Sequence, residues 1–232
     1  MCIKKDTAAI LVCAGNATRM GGIHKILHPL GDTTVLHQLL RSFCDCESIA
    51  ELVVICREKD TDEFRRAIAE IGHLLSCPVT VTSGGDTRQQ SVRNGVNAIS
   101  VPAEYIAIHD GARPLIRPAD IEKVIADARI SGAATLGVPV KDTIKVVRNG
   151  VIEATPERAL LWQTQTPQVF RLSLYQDAMR LAAEQGRDYT DDCQLVEALG
   201  ISVTMTEGAY SNLKLTTPED FAVAEALLEK EE

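Results

Sequence analysis

The chain has 232 residues, a formal net charge of −8, 45% hydrophobic and 24% charged residues, and few aromatics. That length can bury a sizeable core, and residues 1–232 are expected to form one domain without linker, repeat or low-complexity tract. The acidic balance excludes a general nucleic-acid binder, and no apolar run approaches the ~20 residues of a membrane-spanning helix or looks like a signal peptide. A cytoplasmic protein with neither nucleic-acid nor membrane partners is therefore expected.

In chain order, Ala8–Ala14, Leu52–Cys56, Val79–Thr82, Tyr105–His109 and Ala134–Val138 are short, apolar and rich in branched residues, the pattern of buried strands. Between them, Val35–Cys44, Asp60–Leu75, Arg88–Ile99 and Pro118–Ser131 have helical spacing. Pro118 suits a first helical turn and Gly132 the position just past a helix end. Such alternation predicts an α/β fold with a mostly parallel sheet and helices on both faces. The rhythm then changes to an extended arm at about residues 142–160. In it, Asn149-Gly150 between Ile144–Val147 and Val151–Ala154 predicts a β-hairpin that needs a partner surface, for which a second copy of the chain is the obvious candidate. A strand at Gln165–Phe170, helices near Leu172–Glu184 and Asp191–Leu199, a strand at Ile201–Thr206 and a helix from Pro218 complete the reading.

The segment from Ala14 to Lys25 follows the first strand directly, where open parallel sheets bind ligands. Its small residues let backbone N–H groups approach an anion, and Arg19 and Lys25 add positive charge. It is neither a P-loop, because Met20 takes the second glycine position, nor a dinucleotide fingerprint, because Ala17 does. The loss of that fingerprint counts against a dehydrogenase. Two further blocks close strands: Ser83-Gly84-Gly85-Asp86-Thr87-Arg88, with Asp86 or Thr87 available as helix cap, and His109-Asp110-Gly111-Ala112-Arg113-Pro114. Asp110 at a strand's carboxyl end is placed to hold Mg²⁺ or polarise its water shell.

Taken in order, these blocks resemble the 2-C-methyl-D-erythritol 4-phosphate cytidylyltransferases. So do Pro139-Val140-Lys141-Asp142-Thr143-Ile144-Lys145, Arg158, Trp162 to Phe170, Thr190-Asp191-Asp192 and Asn212-Leu213-Lys214-Leu215-Thr216. The resemblance runs from Ala8 to about Ala226. It implies a Rossmann-like nucleotidyltransferase fold and a homodimer in which each protruding hairpin arm reaches over the other subunit's site. It also implies CTP and a polyol phosphate as substrates, with a divalent cation such as Mg²⁺. Arg19, Lys25, Arg158 and Lys214 match catalytic cations, Arg19 and Lys25 for charge on the triphosphate. Ala14, Gly15, Gly85, Asp86, Arg88 and Ser91 match the nucleotide pocket. Asp110, Arg113, Thr143, Arg158, Thr190 and Lys214 match the acceptor pocket, with Arg113, Thr143 and Arg158 contributed by the partner subunit.

His24, where the family commonly has proline or asparagine, and Ala17, in place of a frequent glycine, put the path of the first loop in question. The alternative within the fold is a CDP-ribitol-forming cytidylyltransferase, and outside catalysis a nucleotide-binding regulator that would have lost some of these cations. His24, His28 and His37 are expected in surface or loop roles, and Trp162 and Phe170 in packing. The seven cysteines are an odd number without CxxC pairing, so structural thiols are expected.

Overall fold

The computed structural model of this chain describes residues 4–15 and 25–229. The elements begin with β1 (Thr7–Val12), β2 (Pro29–Leu30), β3 (Thr33–Thr34), α1 (Val35–Cys44), β4 (Ile49–Cys56), α2 (Thr61–Glu70) and β5 (Val79–Ser83). They continue with α3 (Arg88–Asn97), β6 (Tyr105–Asp110), α4 (Pro118–Ser131), β7 (Ala133–Pro139), β8 (Val146–Arg148) and β9 (Val151–Ala154). The last are β10 (Trp162–Arg171), α5 (Leu172–Glu184), α6 (Asp192–Glu197), β11 (Thr204–Glu207) and α7 (Pro218–Leu228). None of the described helices is long and apolar enough to cross a membrane.

Seven strands form one sheet in the order β11-β7-β10-β6-β1-β4-β5. All neighbours are parallel except β10, which runs antiparallel to both β6 and β7. The expected mostly parallel sheet is thus present, and its one reversed strand is the segment carrying Gln165–Phe170. The ladder between β10 and β7 shifts register between Thr164 and Gln168, around Pro167, which has no N–H to give.

Both faces of the sheet are covered, which is why its central strands read as continuous apolar runs. On β1, Ala9 and Leu11 point to the side of α1, α2, α4 and α7, while Ile10 points to the side of α3, α5 and α6. Ile10, Leu11, Leu39, Phe43 and Phe170 are fully buried, each contributing about 1.5–3 kcal/mol relative to exposure.

Local chemistry sets most boundaries. Thr34 caps α1 by accepting from the His37 amide at 3.2 Å. Pro118 opens α4, and Gly132 at φ +85° closes it. Helix α2 is shorter than its apolar spacing predicts: Ile71 leaves helical geometry at φ −108° and one 3₁₀ turn at Gly72–Leu74 follows. The small β2/β3 hairpin around Gly31, at φ +57°, has no counterpart in the sequence reading. Strands β8 and β9 pair antiparallel across Asn149 and Gly150, both left-handed at φ 50° and 79°, as a two-residue hairpin turn requires. Every residue of β8 and β9 is exposed.

Candidate active site

The chain leaves β1 for β4 and β5 on one side, then returns to place β6 on the other. That reversal is a topological switch point, where strand ends splay apart and leave a crevice. The carboxyl ends are in register there: Val12 pairs with Ile55 and Asp110, and Cys56 with Ser83. The loops that follow enclose a cleft of about 600 Å³ lined by residues including Ala14, Gly15, Lys25, Arg57, Gly85, Arg88, Asp110 and Lys214.

The loop from β5 to α3 is held by its own helix. Thr87 caps α3 through the Gln90 amide at 3.2 Å, while Asp86 does not serve as the cap. Ser91 accepts from the Gly85 amide at 3.0 Å and donates to the Thr87 carbonyl at 2.9 Å. Gly84 lets this loop approach the first one: a Cβ there would lie 2.8 Å from Ser91 Oγ and 2.9 Å from Ala14 Cβ. No side chain fits that gap unless one of the two loops moves.

On the β6 side, Asp110 gathers cations. Lys214 Nζ donates to its Oδ2 at 2.7 Å, Arg88 Nη2 lies 3.8 Å from Oδ1 and Arg113 Nε 4.0 Å from Oδ2. Burial works against the Asp110 charge, but Lys214 and the two arginines outweigh it and hold the carboxyl below its ordinary range. Arg88 reaches back to Asp192, with Nη1 2.6 Å from Oδ2, while Tyr175 donates its hydroxyl to Asp192 Oδ1 at 2.7 Å. Gln168 of β10 accepts the Asp192 and Cys193 amides at 3.1 and 3.2 Å. The segment bearing Lys214 is stitched to the first loop, because Lys25 Nζ donates to the Leu215 carbonyl at 3.3 Å and the Leu215 amide to Ala112 O at 2.7 Å.

A second chain of bonds fixes Asp110 from behind. Its amide donates to Thr166 Oγ1 at 3.0 Å, and Thr166 meets His109 Nδ1 at 3.0 Å. His109 Nε2 meets the Arg113 carbonyl at 3.1 Å. This arrangement suits a neutral ring, donating at Nε2 and accepting at Nδ1. Burial lowers the His109 pKa to about 4, consistent with that state.

The structure therefore brings Ala14, Gly15, Lys25, Gly85, Asp86, Arg88, Ser91, Asp110 and Lys214 to one cleft. Arg19 lies outside the described residues, as do His24 and Ala17. Thr143, Arg158 and Thr190 are exposed and do not line the cleft; Arg158 donates to the Lys141 carbonyl at 3.0 Å within the arm. Arg113, expected to serve a partner subunit's site, is tethered beside Asp110 of its own chain, donating to the Asn212 carbonyl at 2.8 Å with a side chain only 13% exposed.

Sequence reasoning missed the supporting shell of Asp192, Tyr175, Gln168 and Thr166, whose motifs carry no local signature of a buried network. It also missed Arg57, a cleft residue paired with Asp60. His28 packs its ring on Phe221 at 4.9 Å, and buried His37 meets the Ala67 carbonyl at 2.8 Å. No cluster of three metal-ligating side chains exists among the described residues. Phe170 is core as expected, packed against Tyr175 at 5.4 Å, whereas Trp162 is 38% exposed at the start of β10.

Comparison with known proteins agrees with this architecture. The model of the family described as 2-C-methyl-D-erythritol 4-phosphate cytidylyltransferase matches residues 7–230. A protein of that name from Syntrophotalea carbinolica is 45% identical over 222 residues, covering 95% of each chain. The crystal structure of 4-diphosphocytidyl-2C-methyl-D-erythritol synthase from Anaerococcus prevotii superposes with a TM-score of 0.85 at 28% identity, covering 97% of this chain and 99% of that one. The cytidylyltransferase of Thermus thermophilus superposes at 0.76 with 31% identity, over 95% of this chain and 98% of its own. With its sheet, cleft and nearly full-length similarity in agreement, the chain belongs to the 2-C-methyl-D-erythritol 4-phosphate cytidylyltransferase family.

Proposed function

We propose that this chain transfers CMP from CTP to 2-C-methyl-D-erythritol 4-phosphate, giving 4-diphosphocytidyl-2-C-methyl-D-erythritol and pyrophosphate, a step toward isoprenoid precursors. The observation that carries this reading is the convergence of Lys25, Arg88 and Lys214 on one switch-point cleft, in a chain whose net charge is −8. Both reactants are polyanions, so a protein with that overall charge needs a locally positive cleft to hold them together.

An oxygen of the acceptor phosphate attacks the α-phosphorus of CTP, the bond to the bridging oxygen breaks, and pyrophosphate leaves. No protein nucleophile is required, so catalysis rests on positioning and charge stabilisation. Lys25, together with Arg19, takes the charge developing on the triphosphate. The backbone of Ala14, Gly15 and Gly85, with Asp86 and Ser91, surrounds the nucleoside. Arg88, fixed by Asp192, stands between the nucleotide and acceptor ends. Asp110, Arg113, Thr190 and Lys214 face the acceptor, with Lys214 moving from Asp110 toward the incoming phosphate.

A magnesium ion fits this donor set as one shared with the substrate. Asp110 is a single ionised carboxylate, and Mg²⁺ commonly takes one or two carboxylates with its remaining ligands from water and phosphate. When bound, it would neutralise phosphate charge. Two copies of the chain pair, each arm bringing Thr143 and Arg158 over the other's cleft. The exposure of Val147, Val151, Ile152 and Leu160, at 55, 67, 59 and 75%, supports this, since a lone ribbon is marginal and its apolar side needs cover.

The test is pyrophosphate release with CTP, Mg²⁺ and methylerythritol phosphate, run against UTP, ATP and ribitol 5-phosphate. Turnover confined to CTP and methylerythritol phosphate is expected. Preference for ribitol 5-phosphate would overturn the acceptor assignment, and equal use of UTP the base assignment.

A further inference from the structure

At the opposite end of the sheet from the cleft, two cysteines 33 residues apart meet. Cys44 closes α1 and Cys77 precedes β5, and their sulfurs lie 3.2 Å apart. The backbone around them is pinned: Ser76 donates its hydroxyl to the Cys44 carbonyl at 2.5 Å, and Leu52 of β4 donates its amide to the Pro78 carbonyl at 2.9 Å. Neither sulfur can drift far from the other while these bonds hold. Closing from contact to a bond of roughly 2.05 Å needs an approach of about 1 Å, within reach of side-chain rotation.

We propose that Cys44 and Cys77 form an oxidative modification site, a dithiol that a hydroperoxide converts reversibly to a disulfide stapling the end of α1 to the start of β5. The other described cysteines are placed differently. Cys46 is engaged with backbone, donating to the Ser42 carbonyl at 3.3 Å, and Cys56 donates to Thr61 Oγ1 at 3.8 Å. Burial pushes the thiols of Cys13, Cys46, Cys56 and Cys193 up. The hydrogen bond from Cys77 instead lowers the Cys44 thiol to about 7, so part of it is thiolate at neutral pH. Cys44 is buried and Cys77 half-buried, so Cys77 gives the pair its side toward solvent.

The chemistry closes with a hydroperoxide as the only co-reactant. The thiolate sulfur attacks one peroxide oxygen, the O–O bond breaks, and hydroxide leaves a sulfenic acid behind. The second sulfur then displaces the sulfenic oxygen, which departs as water with the thiol proton while the S–S bond forms. Two thiols and one hydrogen peroxide give one disulfide and two waters. A small thiol or dithiol returns the site to its reduced state by exchange.

The full-length, fully reduced protein is treated with near-stoichiometric hydrogen peroxide, alkylated, digested without reduction and mapped by mass spectrometry. A peptide pair joining Cys44 to Cys77, two hydrogens lighter than its parts and separated by dithiothreitol, is expected. The oxidised protein should melt higher by on the order of 5–10 °C, because the bond restricts the unfolded chain. Cys77→Ser should retain the reduced wild type's circular dichroism and lose both the linked peptide and the peroxide-induced shift. Four outcomes would overturn the proposal. They are sulfinic acid accumulating at Cys44 or Cys77 without a link, the folded protein linking either residue to Cys2 or Cys46 instead, a link appearing only in guanidinium, and an unchanged melting temperature on oxidation.

Discussion

His109 and Asp110 are adjacent on β6 yet have opposite electrostatic fates, because successive strand residues face opposite sides. His109 is buried against Phe43, its ring centroid 5.1 Å from that ring, and protonation would remove the acceptor that Thr166 uses. Its folded pKa of about 4 lies below the ordinary value, so as pH falls from about 6.5 toward 4 the unfolded chain takes up a proton that the folded one refuses. Stability should fall across that window by about 3 kcal/mol from this residue. Asp110, whose folded pKa is also lowered, has the same sign in a more acidic window: its contribution is present above the ordinary carboxyl pKa and is lost as pH falls from there through its depressed folded value. Denaturant unfolding at pH 7 and pH 4.5 checks this, with His109→Gln expected to flatten the difference; a wild type as stable at the lower pH would refute it. Lys25 acts on chemistry instead. Lys25→Ala should lower kcat by about 10²–10³-fold with the fold intact, as removal of other charge-stabilising donors does. Near-wild-type turnover would remove Lys25 from the proposed mechanism.

At the scale of elements, the β5–α3 loop is closely packed against the first loop. Gly84→Ala places a methyl group within 2.8–2.9 Å of Ser91 and Ala14, so the first loop and the β5–α3 loop must separate. Overpacking of this kind costs about 1–3 kcal/mol, and the separation should raise KM for CTP more than KM for the acceptor. Steady-state kinetics with each substrate varied in turn measures that split, and equal effects on both would argue against the nucleotide pocket lying there. The glycines, the Thr87 cap and the Asn149-Gly150 turn were legible because each is a short-range backbone requirement. The extent of α2 was not, since Ile71 and Leu75 continue the apolar spacing beyond the point where Gly72 and the turn toward β5 end the helix.

For the whole molecule, the proposed pairing of two copies rests on the arm. Strands β8 and β9 have an Arg148–Glu153 ion pair at 2.8 Å and a Lys145–Thr155 hydrogen bond at 2.8 Å, but their apolar side chains lie open. If a second copy covers them, Ile152→Asp should shift the protein toward monomer and lower turnover by removing the partner's Thr143 and Arg158 from the cleft. Sedimentation velocity across a concentration series, paired with the pyrophosphate assay, reads both. A wild type that is monomeric at assay concentration while fully active would dispose of the shared site.

The apolar runs of β1, β4 and β6, and the small or charged residues closing each, were determined by sequence alone, because a strand buried on both faces needs such a run and a strand-end anion site needs exposed backbone and cations; β5, expected to be buried in the same way, is a half-buried edge strand. Lys25, Gly85, Arg88 and Asp110 could be named on that basis, whereas Lys214 rested on the resemblance across the whole chain, which was also needed to group them. Only the tertiary structure decided that β10 runs antiparallel between β6 and β7, that Arg113 turns toward its own Asp110, and that Asp192 with Tyr175 holds Arg88. It also placed Cys44 beside Cys77, where a count of odd, unpaired cysteines suggested only packing. Apart from Arg113 and Asp110, three positions apart, these are contacts between residues well separated in the chain, fixed by where the sheet puts its strand ends, and no local spacing encodes them.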